Sequence, residues 1–131
     1  MMKELEIAAG VIFQNDKVLI GQRKFEDKFG GKWEFPGGKL ERSELPEDCI
    51  VRELKEELDI VVKNFEHFFS YVHEYALIRL VVHSFLIKDY IGDISLNEHE
   101  IVKWVDLKEL EDYDFLEADR EIINMLYKKV L

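Results

Sequence analysis

The stretch from Pro46 to Leu58 restricts the possible fold more than any other part of the chain. Ile50, Val51, Leu54 and Leu58 recur at helical spacing. Pro46 suits the first turn of a helix, where its missing N–H is not needed, and Glu47 and Asp48 fall at the positive end of the helix dipole. Such a helix has one apolar arc and must lay it on a second layer. The rest of the sequence supplies that layer as strands, read at Leu5 to Phe13, Lys17 to Arg23, Phe65 to Tyr75, Leu77 to Ile87 and Ile101 to Val105. Asn15-Asp16 makes the first turn, and Phe25 to Gly31 reads as a loop. Trp33-Glu34-Phe35 is a short extended piece that breaks at Pro36-Gly37-Gly38. A helical turn near Leu107 to Leu110 and a closing helix from about Glu117 to Val130 complete the pattern. Helices and strands interspersed in this way imply an α/β or α+β sandwich, with a mixed sheet flanked by helices.

The opposite arc of the first helix carries Glu53, Glu56 and Glu57 within one or two turns. Like charges at these spacings destabilise an isolated helix by roughly a few tenths of a kcal/mol per pair. Either the side chains splay into water or a cation sits between them. Hard Mg²⁺ prefers carboxylate, carbonyl and water oxygens and completes its shell with substrate phosphates. An ion there would neutralise phosphate charge and lower the pKa of a bound water. Taken alone, the arc also reads as a solvated, Glu-rich helix face.

Charge and length bound the partners. The 131 residues carry a formal net charge of -10, which disfavours a grip on nucleic-acid phosphates through Lys and Arg. No apolar run approaches the ~20 residues that span a bilayer. The N-terminal Met1-Met2-Lys3-Glu4 stretch lacks the apolar core of a secretory signal, and the single cysteine, Cys49, forms no internal disulfide. The expectation is one domain over residues 1–131 in a reducing cytoplasm, as a monomer or homodimer, with neither nucleic acid nor membrane as partner. Cys49 lies among apolar helix neighbours and reads as packing.

Outward from the helix, Gly38 is followed six positions on by Glu44, and then by Arg52-Glu53-Leu54 and Glu56-Glu57. This run resembles the Nudix box, G-x5-E-x7-R-E-U-x-E-E-x-G-U, in which U is a bulky aliphatic residue. Gly38, Glu44, Arg52, Glu53, Leu54, Glu56, Glu57 and Ile60 all match. Asp59 stands in place of the second glycine; it is expected to end the helix in a left-handed conformation at a small cost in stability. The flank from Trp33 to Glu41 is similar to the MutT-type branch of that family, and the layout of nearly the whole chain follows it.

The resemblance implies a Nudix-type α-β-α sandwich and hydrolysis of a nucleoside triphosphate, oxidised or cytidine nucleotides included, to monophosphate and pyrophosphate. Mg²⁺, with Mn²⁺ as a substitute, is the implied cofactor. By the same resemblance Glu53 is base and ligand, Glu56 and Glu57 are ligands, Gly37 offers a carbonyl to the metal, and Glu98 is an additional ligand or base. Arg52 holds the carboxylates, although unaided it reads as a surface salt bridge. Glu44 is an outer, orienting group. Arg23, Glu34, Phe35, Gly38 and Asp119 fall at the substrate. For Arg23 an exposed strand end is the other reading, and for Phe35 plain core.

Asp119 faces a base edge with an amino donor if it takes the family's nucleobase position, or caps the last helix if it does not. Tyr75 and Arg79 are further candidates for the pocket wall. Glu98-His99-Glu100 reads, unaided, as a solvated loop with His99 exposed. Two other activities remain compatible with the same residues: hydrolysis of another nucleoside diphosphate-linked compound, and a silent module that binds a nucleotide without cleaving it.

Overall fold

The computed structural model describes residues 2–130. Its strands are β1 (Lys3–Gln14), β2 (Lys17–Arg23), β3 (Trp33–Glu34), β4 (Gly37–Lys39), β5 (Val61–Tyr75), β6 (Ile78–Ile91) and β7 (His99–Asp106). Its helices are α1 (Pro46–Leu58) and α2 (Arg120–Lys129), with short 3₁₀ turns at Leu107–Asp112 and Glu117–Asp119.

The sheet runs β3-β2-β1-β6-β5, with β4 paired to β1 and β7 to β2. β1 and β6 run parallel, and the other pairs are antiparallel, so the sheet is mixed. Alternation along the strands sorts side chains into two cores. Ala8, Ile12 and Leu19 join Cys49, Ile50, Leu54 and Leu58 of α1 on one face. Ala9, Val11, Val18 and Ile20 join Ile122, Ile123 and Leu126 of α2 on the other. That is the expected sandwich of helices on a mixed sheet. No helix among the described residues is long and apolar enough to cross a membrane.

Helix α1 starts at Pro46 and ends at Leu58, as its spacing predicts. Asp59 closes it in the left-handed region, with φ 59°, and its N–H reaches the carbonyls of Leu54 and Lys55. Two expectations need correction. The break is confined to Pro36, a bend, and Gly37-Gly38 open a strand: Ala9 pairs with Gly37 and Ala8 with Gly38. Without side chains these glycines let β4 lie close on β1, since a Cβ at residue 37 would stand 2.0 Å from the Ala8 carbonyl oxygen. Likewise, β5 and β6 extend past Phe65 and Ile87 to a Val61–Ile91 pairing. Register shifts near Asn64 and between His67 and Phe69 interrupt the alternation there, so the sequence pattern breaks before the hydrogen bonding does.

Candidate active site

Helix α1 and the β-strands meet at a cavity of about 640 Å³. Its acidic end is built by α1 and by the loop before β7. Ser95 N–H donates to the Leu58 carbonyl and Asn97 N–H to that of Glu57, occupying carbonyls that the end of a helix leaves without partners. The Asn97 side chain adds a bond to the Glu56 carbonyl at 2.9 Å. The loop is thereby docked on the helix, and Glu98 arrives beside Glu53 and Glu57. One oxygen from each of these three carboxylates lies within 4.8 Å of the others.

The electrostatics of this cluster are unfavourable without a counter-ion. Burial, then the charges of Glu34, Glu98 and Glu53, push the Glu57 carboxyl up to about 10. Burial also raises Glu53, against the pull of Arg52. Three convergent carboxyls in a cavity wall, two of them raised by burial and all offering oxygen, fit a hard divalent cation. The Gly37 N–H points to Glu57 Oε1 at 3.4 Å. Gly38 lies against Glu53 so closely that a Cβ there would stand 2.4 Å from the carboxyl carbon.

Arg52 secures this end from behind. Its Nε and Nη2 donate to the two oxygens of Glu44 at 2.8 and 2.9 Å, and Nη1 donates to Glu53 at 2.9 Å and Glu56 at 3.1 Å. A fifth bond runs from Nη2 to the Lys39 carbonyl. Guanidinium geometry allows this fork, and an ammonium would not reproduce it. The Arg52 bonds hold the Glu44 carboxyl down at about 2. Glu44 therefore faces Arg52 rather than the carboxylate cluster. Glu56, half-exposed, is also drawn to Arg52 and lies outside the set of three. Cys49 is fully buried, and its thiol lies 3.6 Å from the Gly38 carbonyl; burial raises it to about 12, which suits packing rather than reactivity.

The far end of the cavity is apolar, with Ile7, Leu80, Val82 and Leu116 among its lining. Phe35 is 3% exposed and stacks at a tilt on Phe115, 5.3 Å between centroids, so it belongs to the core and the cavity wall together. Asp119 stands at the N-cap position of α2, but its side chain makes no cap bond. Its side chain turns inward and accepts the Phe35 N–H at 2.8 Å. Burial, followed by the Glu34 charge, raises its carboxyl to about 8. Arg23 bridges the two ends: Nη1 donates to Glu34 Oε1 at 3.1 Å, and Nε donates to the Lys28 carbonyl at 2.8 Å. Tyr75 lines an adjoining cleft of about 780 Å³ with Lys28 and Phe29, whereas Arg79 pairs outward with Glu4 and Glu74.

His99 overturns the expectation of an exposed side chain. It is buried in the cavity wall, with Nε2 2.9 Å from Glu34 Oε2. The cause is a register shift in the β2–β7 pairing, which turns the side chain inward. Two signals of this were present in the sequence: a glycine at position 21 inside an otherwise bulky strand, and a histidine between two glutamates. Asn97 gave no such signal, because its role depends on where the loop meets α1.

A profile of the NUDIX domain matches residues 4–126. The chain is 33% identical over 118 residues to the CTP pyrophosphohydrolase of Escherichia coli K12, covering 90% of this chain and 87% of that protein. It is also 33% identical over 126 residues to the 8-oxo-dGTP diphosphatase of the same strain, covering 95% and 98%. A structure from work on MutT of Aliivibrio salmonicida and Vibrio cholerae superposes with a TM-score of 0.82 at 31% identity, over 96% of this chain and 99% of that one.

Proposed function

The chain belongs to the Nudix family, and from that membership we propose that it hydrolyses nucleoside triphosphates to nucleoside monophosphate and pyrophosphate, with Mg²⁺ as the natural ion and Mn²⁺ as a substitute. The observation that carries this reading is the convergence of Glu53, Glu57 and Glu98 at one end of a cavity whose other end is apolar. About 640 Å³ suits a ligand of nucleotide size.

In this reading Glu53, Glu57 and Glu98 hold the cation, with the Gly37 backbone beside them. The ion, when bound, neutralises polyphosphate charge and acidifies water next to it. Glu53 or Glu98 takes the proton of the attacking water. Arg52 and Glu44 fix the rotamer of Glu53. Arg23, steadied by Glu34, meets a phosphate oxygen, and Phe35 and Asp119 flank the nucleoside. A phosphate chain held through an ion rather than a basic groove agrees with a net charge of -10.

The test is pyrophosphate release from a panel of natural and oxidised nucleoside triphosphates. Turnover is expected to disappear with EDTA and to return with Mg²⁺ or Mn²⁺. Release of inorganic phosphate alone, or turnover undiminished by chelation, would refute the reading.

A second expectation concerns Asp119. With its carboxyl at about 8, it carries a proton at neutral pH and can donate to a base as well as accept. Asp119→Asn keeps an acceptor for the Phe35 N–H but fixes the donor–acceptor pattern. The ranking of bases by kcat/KM is expected to change by about tenfold or more, the scale of one mismatched buried hydrogen bond. The native ranking should also drift across pH ~8, as ionisation removes the donor, and the Asn variant should not follow it. An unchanged ranking in the variant removes Asp119 from the base pocket.

A further inference from the structure

The proposed function leaves His99 unused, a buried polar side chain with a ring nitrogen that has no partner among the described residues. In the β2–β7 ladder Gln22 faces Ile101, and the next residue, Arg23, faces His99, so Glu100 is skipped. A bulge of this kind re-aims the side chain beside it. The His99 side chain is 2% exposed as a result. Space for the ring comes from Gly21 on β2, where a Cβ would stand 2.5 Å from His99 Cδ2. Two departures from a regular sheet, a bulge and a strand-interior glycine, thus serve one imidazole.

The ring's bonding is asymmetric. Nε2 lies 2.9 Å from Glu34 Oε2 and 4.0 Å from Glu57 Oε1, while Nδ1 has no partner among the described residues. A bond to a carboxylate requires the hydrogen on Nε2. An aliphatic side chain would fill the same space without a buried nitrogen left unpaired, so packing alone does not account for histidine here.

Glu34 has two oxygens, and His99 claims one of them. The other accepts Arg23 Nη1 at 3.1 Å. Arg23 Nε is tied to the Lys28 carbonyl at 2.8 Å, and Nη2 makes no hydrogen bond among the described residues. If Glu34 were free to turn, both its oxygens could engage the guanidinium in a bidentate pair, the geometry that arginine and carboxylate favour. His99 prevents that by engaging the second oxygen.

We propose that His99 is a positioning residue that acts through Glu34 to keep Arg23 singly paired, leaving its free Nη2 to receive an oxygen of the substrate. The proposal rests on the reading of the cavity as a nucleotide site. It makes His99 a determinant of substrate binding rather than of the chemical step.

The test separates hydrogen bonding from packing. His99→Leu keeps about the same volume and removes the donor; His99→Gln keeps an N–H that can reach Glu34. For the Leu variant, KM for the best nucleoside triphosphate is expected to rise about tenfold or more, with kcat within about threefold, as for loss of a binding contact. The Gln variant should recover most of the loss. In a Glu34→Gln background, His99→Leu should add nothing further, because its route of action is already cut. Thermal melting of each variant controls for folding.

A nucleotide-free readout keeps this proposal apart from the functional one. The Arg23 Nε–H signal in a ¹⁵N spectrum, assigned by its loss in Arg23→Lys, should be present in the native and Gln proteins and shifted or averaged in the Leu protein. An Arg23 signal unmoved by His99→Leu, a KM equal to native, or an effect that adds fully to Glu34→Gln would each overturn the positioning role. A native protein that cleaves no nucleotide would instead overturn the functional reading, with the Arg23 signal still deciding whether His99 sets the guanidinium.

Discussion

Replacing Glu57 with Gln is expected to reduce turnover at least about a hundredfold and, at the same time, to make the metal-free protein more stable. Both effects follow from one carboxyl. Glu57 is 3% exposed and held at about 10, against an ordinary value of 4.5. At neutral pH the metal-free folded chain keeps that proton and the unfolded chain releases it. Folding therefore binds a proton, and stability falls as pH rises from 4.5 towards about 10. Glutamine has no proton to lose, so its metal-free form should melt higher at pH ~8 by about 4 °C, the shift that ~1 kcal/mol gives in a chain of this size. The two proteins should converge at about pH 4, below the ordinary value.

Divalent ion reverses the sense for the native protein, since it favours the ionised carboxylates. Mg²⁺ should raise the native melting point most at high pH and should scarcely move that of the variant. Melting curves with EDTA and with Mg²⁺ at two pH values, set beside initial rates, decide the matter. Near-native turnover, or a variant whose metal-free melting depends on pH as steeply as the native, removes Glu57 from the centre of the cluster.

Gly38→Ala is expected to cost at least about tenfold in kcat with little loss of stability. The added Cβ would stand 2.4 Å from the Glu53 carboxyl carbon and 2.5 and 2.6 Å from its oxygens. Those atoms sit at the end of a flexible side chain, so the protein yields by swinging the carboxylate away, at a cost of ~1 kcal/mol for the altered rotamer. Glu53 then leaves Glu57 and Glu98. Rotation also strains its bond to Arg52, which is 2.9 Å in the native chain. The same change one residue earlier behaves differently, because a Cβ at Gly37 meets the Ala8 backbone at 2.0 Å and cannot be relieved by a side chain. Gly37→Ala should therefore unfold β4 locally, whereas Gly38→Ala should melt within a few degrees of native. Native kcat in the Gly38→Ala protein would mean that the Glu53 carboxylate need not occupy its observed place.

These contrasts mark what a sequence can and cannot carry. Helix α1 was legible to its end residues because spacing, an N1 proline and a left-handed terminator are all local properties. Strand β2 was equally legible from its run of Val, Leu and Ile. The strand at Gly37–Lys39 was not, because a Pro-Gly-Gly run reads as a break, and only its neighbour β1 makes it a strand. The orientation of His99 depends on a register shift between two distant strands; Gly21 and the flanking glutamates hint at it, but only the pairing of β2 with β7 joins those hints. Asp119 was open between a helix cap and a pocket residue; the distant Phe35 N–H settled where its side chain points. The unread features are those created when separate segments meet.

The irregularities in β5 have a consequence for solution behaviour. This strand lies at one end of the strand order, 15 residues long, with register shifts near Asn64 and between His67 and Phe69. A rim of free amides and carbonyls that length would offer a ready template for another extended chain. The shifts interrupt the even spacing of that rim, so a visiting strand finds no regular run to zip along. Removing Phe68, the residue skipped between the His67 and Phe69 pairings, to restore an even rim, would turn the outer boundary of the sheet into a surface prone to self-association.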